Sequence, residues 1–341
     1  FTSPASTQIY GQTQVNPLAG SAGLVFTLTL IIVSYEPIRR KFYSNFYMHH
    51  RIFSLLAILT IMIHSTVVRY AMIVPLISYG LSGVLRLRAF CQRYDATAEI
   101  GEGSIVILTL PSTKRTSQWA QGMNPSSYFY IQVPSISVVE WHPFSAVVTP
   151  MSDTITFYLK TMGKGKFVDS LYNVVKTRTN HGRATIPVLI GGPYGKLSVD
   201  ILQYQVVILV AGGIGITPML SLVNQFRNKQ GKAGGVFHLY WTVREVNSLL
   251  MVDKQMYPLP QSLVHKFYVT AASTEGQITT SSGLQQHYYA KRPVWDELIN
   301  PVAFVGKSVC VLTCGPGQLT RDIQRVARQC GYDFHKEEFE F

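Results

Sequence analysis

Charge is scarce in this chain, and acidic charge is scarcest. Only 14% of the 341 residues are charged, 18 acidic against 30 basic, giving a formal net charge of +12. With 47% hydrophobic residues, concentrated in the first quarter, the composition excludes a protein that is soluble throughout. Cysteine is scarce too. Cys91, Cys310, Cys314 and Cys330 contain one C-x3-C pair and no other metal-type spacing, and a cytosolic setting would keep them reduced. No basic face is interleaved with aromatics, so nucleic acid is excluded as a partner and the surplus of Lys and Arg needs another explanation. Internal repeats, low-complexity segments and a signal peptide are also missing. The opening FTSPASTQIYGQTQ is polar and begins with Phe, as if the chain started partway through a larger protein.

Three stretches carry no charge at all: residues 18–35, residues 52–68 between Arg51 and Arg69, and residues 70–85, interrupted by Pro75. Their length and apolarity predict membrane-spanning helices at about 18–35, 46–67 and 70–87, preceded by an extracellular loop over 1–17. Arg39, Arg40 and Lys41 lie between the first two runs, and Arg86, Arg88 and Arg93 follow the third. Only Arg69 falls in the tight connection between the second and third. The positive-inside rule then places both basic clusters, and everything after about residue 90, in the cytoplasm.

The second helix carries histidines near both ends. His50 and His64 are 14 residues apart, which in a helix is roughly four turns less 40° and roughly 21 Å of rise. Both imidazoles therefore point the same way, one near each face of the membrane, as two stacked haems would require. His49 also lies within about 60° of that face and is the rival for the inner position. Polar groups at membrane depth are costly, so a functional role is the default. His142, His181, His238, His265, His287 and His335 all fall outside the apolar runs.

From about residue 93 the pattern is that of a soluble α/β protein. Short β-rich segments separated by Gly, Pro and Ser turns predict an antiparallel barrel over 93–200. Over 201–341, apolar strands alternating with helical stretches predict a Rossmann-like parallel sheet. Its first strand runs into AGGIGITPML. Gly212, Gly213 and Gly215 allow a tight turn, Thr217 can cap, and Pro218 suits the first turn of a helix. Together these make a pyrophosphate-binding device at a strand-to-helix switch. Arg244, after the second strand, is placed to pair with a ribose 2′-phosphate, although the adjoining Glu245 leaves some NADH use open.

Seven motifs in order resemble those of the ferric reductases and NADPH oxidases, the membrane branch of the ferredoxin–NADP reductase superfamily. They are HPFS at 142–145, GGPYG at 191–195, AGGIGITP at 211–218, WTVRE at 241–245, KRPVW at 291–295, CGPG at 314–317 and the terminal HKEEFEF. Upstream, RRKFYSNFYMHH followed by IHS is similar to the fifth membrane helix of the fungal-type ferric reductases, where the spacing of 14 also occurs.

The resemblance implies an N-terminally truncated transmembrane electron-transfer enzyme using NADPH, FAD and two b-type haems. Pro143, Phe144 and Ser145 would hold the isoalloxazine and ribityl chain, with His142 in the same wall. Lys160 and the turn of Gly163, Gly165 and Phe167 would reach the FAD pyrophosphate. Val168 departs from the hydroxyl residue usual in relatives. Gly192, Pro193, Tyr194 and Gly195 would form the phosphate-side loop. Arg292 and Lys291 would join Arg244 in the 2′-phosphate pocket. Cys314, Gly315 and Pro316 would lie beside the nicotinamide, and Phe341 would stack on the flavin. His50 would ligate the inner haem and His64 the outer, the opposing histidines being absent from this sequence. Arg51 would pair with a haem propionate or snorkel at the interface. The implied setting is a multi-pass protein in lipid, at the plasma membrane. Its acceptor would be an extracellular small molecule or metal chelate, Fe(III) or Cu(II). The alternatives are a superoxide-generating oxidase and a haem-incomplete membrane protein with a binding or regulatory role.

Overall fold

The computed structural model describes residues 8–337, apart from 11–12, 42, 91, 139, 149–153, 162, 164, 180–181, 198, 229–234, 257–258, 261 and 300. It divides into two compact units, one ending at Ala89 and one beginning at Phe90.

In the first unit a short antiparallel pair, β1 (Gln8–Tyr10) and β2 (Thr13–Val15), leads into α1 (Pro17–Ser34). Asn16 caps this helix by accepting the Ala19 N–H, and Pro17 fills the first turn, where no N–H is needed. The short α2 (Glu36–Lys41) and the long α3 (Tyr43–His64) follow, then α4 (Thr66–Ala71) and α5 (Ile73–Phe90). Three segments are long and apolar enough to cross a membrane: Pro17–Ser34, Asn45–His64 and Thr66–Leu85. The chain turns at Ser65, so Arg69 lies inside α4 rather than in the connection, its Nε donating to the Met62 carbonyl at 3.2 Å. The break between α4 and α5 at Met72 has a local cause. Pro75 lacks the N–H that would bond the Ala71 carbonyl, and its ring crowds that oxygen.

α1 and α3 pack antiparallel along their length, with Phe26 against Phe53 at 6.0 Å. Small residues permit the approach. A Cβ on Gly20 would lie 2.6 Å from His64 Nδ1, and one on Gly23 would lie 3.1 Å from the Ile61 and Thr60 side chains.

The second unit opens with six strands: β3 (Arg93–Gly101), β4 (Ile105–Thr109), β5 (Tyr128–Gln132), β6 (His142–Val148), β7 (Ile155–Lys160) and β8 (Arg183–Tyr194). They close into an antiparallel barrel in the order β3-β4-β7-β6-β5-β8. Alternation in β3 sends Tyr94, Ala96 and Ala98 inward. α6 (Lys114–Gly122) packs Trp119 against Tyr94 and Phe129. α7 (Phe167–Arg178) buries Phe167, Val168, Leu171 and Val175 in the barrel core.

The parallel sheet comprises β9 (Val206–Gly212), β10 (Val236–Val243), β11 (Leu263–Val269), β14 (Val309–Cys314) and β15 (Asp333–Lys336), in the order β11-β10-β9-β14-β15. α8 (Ile216–Asn228) and α11 (Gly317–Gln329) follow β9 and β14. Short α9 (Asp253–Met256) and α10 (Trp295–Leu298), with the hairpin of β12 (Gly276–Thr279) and β13 (Gln285–Tyr288), fill the connections. The final strand, β15, ends in His335 and Lys336, the first two residues of HKEEFEF. Barrel residues Ile105, Val147 and Tyr158 share one buried cluster with the sheet residues Val207, Leu209 and Trp241. The unit is therefore continuous.

Candidate functional site

The barrel presents an aromatic face built by β5, β6 and β8. Tyr128 stands opposite Ser145, and Tyr130 opposite Pro143, while Tyr128 and Tyr130 also register with Tyr194 and Gly191 of β8. The three tyrosine rings cluster at 5.7–5.9 Å between centroids. Alternation along β6 buries Phe144 and Ala146 and leaves Pro143 and Ser145 on this half-exposed face. Gly192, Pro193 and Tyr194 end β8 beside it, and Gly195 follows.

At the head of β6, His142 stacks on Phe167 with centroids 4.1 Å apart, and Phe167 in turn stacks on Phe144 at 6.2 Å. Burial pushes the His142 imidazole below its ordinary value, partly opposed by Glu140. Its Nε2 lies 3.5 Å from the Glu140 carboxylate but out of hydrogen-bond alignment, so this nitrogen and Ser126 Oγ are buried without hydrogen-bond partners. A flat, half-apolar ligand with polar edges suits such a face.

Lys160 ends β7, half-buried, one turn before Gly163, Gly165 and the start of α7. The N-terminus of α7 has no side-chain cap, and Asp169 Oδ2 accepts the Gly165 N–H at 3.2 Å. An acceptor already occupies one donor of this turn, which sequence reasoning overlooked. Val168 is buried in the barrel core, so its methyl groups do packing work where a hydroxyl was expected.

The second element of the site lies at the C-terminal ends of β9 and β14. These adjacent strands mark the point where the sheet order reverses, where ligands of such sheets bind. The loops after them press together: a Cβ on Gly215 would strike the Cys314 carbonyl, and one on Gly212 would lie 2.7 Å from Pro316 Cδ. Gly315 adjoins Gly212 in the same contact. Gly213 turns at φ 56°, and its carbonyl accepts the indole N–H of the fully buried Trp241 at 2.9 Å. In the sequence Trp241 is only one member of the WTVRE motif, whereas in the fold its buried indole fixes the turn.

Thr217 does not cap the helix as expected. α8 starts at Ile216, so Thr217 already lies in the first turn, and its hydroxyl donates back to the Ile214 carbonyl at 3.1 Å. Pro218 occupies that same turn and is buried.

Three cations follow the C-terminal ends of β10 and of the Tyr289 segment that is hydrogen-bonded to β11. Arg244 is exposed just past β10, its carbonyl accepting the Ala271 N–H at 3.0 Å. Tyr289 hydrogen-bonds to both Phe267 and Val269 of β11 and carries Lys291 and Arg292 toward the same end. Lys291 Nζ sits 5.8 Å from the Tyr289 ring. Among the described residues none of the three cations makes an ion pair.

Cys314 is fully buried at the end of β14, and burial, with Glu337 adding to it, raises its thiol pKa well above the ordinary value. It is a neutral wall residue with no open face. Phe341 lies outside the described residues.

In the helical unit both singled-out histidines are held by α1. His64 Nδ1 donates to the Asn16 carbonyl at 2.7 Å, and His50 Nδ1 is 3.1 Å from Ser34 Oγ. A carbonyl can only accept, so the His64 proton is on Nδ1 and the Nε2 lone pair is free to bind a metal. His49 bonds instead within its own helix, to the Asn45 carbonyl at 2.7 Å, and Arg51 lies over the Tyr47 ring at 5.0 Å.

Comparison with known proteins agrees with this layout. Residues 91–198 match a family model described as FAD-binding domain, and residues 204–328 match one described as Ferric reductase NAD binding domain. Ferric reduction oxidase 8, mitochondrial, of Arabidopsis thaliana is 29% identical over 69% of this chain and 32% of its own length. NADPH oxidase 1 of Mus musculus is 26% identical over 78% of this chain and 48% of its own length. The chain thus spans about a third to a half of these relatives. Among solved structures, a ferredoxin NADP+ reductase from Neisseria gonorrhoeae with bound FAD and NADP superimposes with a TM-score of 0.52 at 14% identity. That match covers 73% of this chain and 94% of the other, and it speaks to the fold alone. With an FAD-binding barrel joined to a ferric reductase nucleotide domain, and relatives of both kinds, the chain belongs to the ferric reductase and NADPH oxidase family of oxidoreductases.

Proposed function

We propose that this protein carries electrons across the plasma membrane, from cytosolic NADPH through FAD and two b-type haems to an extracellular Fe(III) or Cu(II) chelate. The observation that carries the transmembrane part is the pair of histidines on α3, each held through Nδ1 from α1. When bound, NADPH would supply a hydride, FAD would take up its two electrons, release the proton and give the electrons up one at a time, and each haem would carry one electron at a time.

The residues fit these groups in distinct ways. The glycine turn at 212–215 and the first turn of α8 suit a pyrophosphate, because first-turn N–H groups have no intrahelical acceptor. Arg244, with Lys291 and Arg292, offers a phosphate unpaired guanidinium and ammonium groups and so favours NADPH over NADH. Pro143, Ser145 and the three tyrosines form a wall that excludes water from a flat ring system. His142 stays neutral there, and Cys314, buried at the end of β14, leads into Gly315 and Pro316, which are assigned to the nicotinamide. Phe341 is assigned to cover the flavin on its sequence position alone.

His50 and His64 suit haem iron, since a ligating imidazole characteristically gives its second nitrogen to a hydrogen-bond partner. The attachment to α1 favours His50 over His49 for the inner site. Two-histidine ligation would take a second imidazole for each haem, expected on another helix.

A second reading, superoxide formation, is favoured by the NADPH oxidases among the relatives. Extracellular Fe(III)-chelate reduction and superoxide yield, each measured with and without superoxide dismutase, separate the two. Chelate reduction insensitive to dismutase supports the metalloreductase. Reduction that vanishes with dismutase overturns it in favour of the oxidase.

A further inference from the structure

The barrel and the sheet meet along one edge of β6, and two polar side chains of α8 complete that edge. Ser221 Oγ donates to the Ala146 carbonyl at 2.7 Å, and Asn224 Nδ2 donates to the Val148 carbonyl at 3.1 Å. β5 pairs with β6 only as far as Tyr128 opposite Ser145, with one more bond from Ala146 N–H to the Ser127 carbonyl. In an extended strand the N–H and C=O of one residue point to the same side. The carbonyls of Ala146 and Val148 therefore face the side that β5 has left, where they would be buried without acceptor satisfaction. Ser221 and Asn224, three apart on one helix face, take the place of the missing strand.

The positions of these bonds along the chain are informative. Ala146 follows directly on Ser145, the last residue of the HPFS segment. Ser221 stands three residues after Pro218, the last of the glycine-turn segment, within the same rigid helix. Hence the flavin-facing strand and the nucleotide-facing helix are joined almost at their working ends. A further polar link between barrel and sheet among the described residues, Lys254 Nζ to Glu99 Oε2 at 3.3 Å, is solvent-exposed on the lysine side and shared with Arg183. Exposed pairs of that kind fix geometry weakly.

We propose that Ser221 and Asn224 are positioning residues that set the approach of the nicotinamide to the flavin by clamping α8 to β6. This rests on the reading of 142–145 and 212–218 as flavin- and nucleotide-binding segments. Neither residue touches the reacting groups. Their effect is on the distance and angle across which hydride passes, and misplacement by about 1 Å costs on the order of a hundredfold in rate.

The test is anaerobic stopped-flow reduction of bound FAD by NADPH in the full chain, separating the limiting rate from the NADPH dissociation constant. Ser221→Ala should lower the limiting rate by about ten- to a hundredfold, while leaving the dissociation constant and the flavin midpoint potential at wild-type values. Ser221→Thr, which keeps the hydroxyl, should restore the rate. Asn224→Leu, which keeps the volume without the donor, should act like Ser221→Ala and serves if the latter loses FAD. Lys254→Ala should behave as wild type. Wild-type limiting rates in both Ser221→Ala and Asn224→Leu would overturn the clamp. So would an equal slowing in Lys254→Ala, which would mean that any loosening between barrel and sheet suffices. If FAD in the unaltered chain is reduced by neither NADPH nor NADH, it is the underlying reading that fails, and the clamp falls with it.

Discussion

In the membrane-type helices no large apolar side chain among the described residues is buried, and many are largely exposed: Leu24 is 61% exposed, Ile31 65% and Val74 70%. In β9, by contrast, all seven residues are buried. The difference lies in what surrounds each region. Lipid is as apolar as leucine, so the helices gain little by burying these side chains against one another, and α1 and α3 are held in register by glycine contacts and by the polar bonds to His50 and His64. In the barrel-and-sheet unit water drives the packing, and a continuous core forms whose stability is large and non-directional. There the few polar bonds serve a different end, setting where one packed layer sits on another. A polar contact in the helical unit therefore points to a ligand or a register, whereas one in the soluble unit points to relative placement.

The largest test of that contrast is His64→Ala. If the histidine is a haem ligand and not merely a register contact with Asn16, the haem absorbance of the full protein should fall by half and extracellular ferric-chelate reduction should vanish. NADPH reduction of a soluble dye, which can take electrons at the flavin, should persist. Undiminished chelate reduction would sink the assignment and leave the Asn16 bond as packing.

Gly215→Ala attacks the other side. Its Cβ would meet the backbone carbonyl of Cys314, which cannot swing aside, and overpacking of this type costs about 1–3 kcal/mol. NADPH affinity measured by flavin reduction should fall roughly tenfold to a hundredfold, with FAD still bound to the barrel and haem content unchanged. Loss of FAD together with NADPH would show that the two halves of the soluble unit fold as one.

Arg244→Ala sharpens the picture within the nucleotide site. Loss of a charge-assisted bond worth about 1.5–3 kcal/mol should raise the KM for NADPH roughly ten- to a hundredfold and that for NADH far less. Equal changes for the two nucleotides would remove Arg244 from the 2′-phosphate pocket.

The smallest effect concerns pH. Burial holds the His142 imidazole below its ordinary value of 6.5, so the unfolded chain takes up the proton first as pH falls. The stability that comes from keeping it neutral is present above about pH 6.5 and is lost progressively as pH falls below that toward the lower value of the folded state. His142→Gln should flatten this part of the acid limb when thermal unfolding is compared at about pH 8 and about pH 5. His238 is lowered chiefly by burial as well, so a residual slope should remain. An unchanged limb in His142→Gln would place the acid sensitivity elsewhere.

Particular elements show how much could be read in advance. The apolar runs, the glycine turn of 212–215 and the HPFS strand were legible because each is a local pattern: length, turn chemistry or alternation. The start of the third membrane segment is less legible, since Arg69 has the pattern of a loop charge and yet lies exposed within α4, bonded back to Met62. Thr217 has the residue type of a cap, whereas the helix starts one residue earlier and its hydroxyl donates back to Ile214. Trp241, Ser221, Asn224 and the tyrosine cluster gave no local signal.

By itself the sequence determined which segments are apolar enough for lipid, which turns need glycine, and that His50 and His64 share a helix face, because these depend on neighbours along the chain and on helix geometry. Only the tertiary structure decided that α1 holds both imidazoles through Nδ1, that two glycine loops from adjacent strands close on one another, and that α8 completes the open edge of β6. Those facts depend on groups that lie far apart in sequence, such as Asn16 and His64 or Ala146 and Ser221, and it is packing that brings them within hydrogen-bond reach.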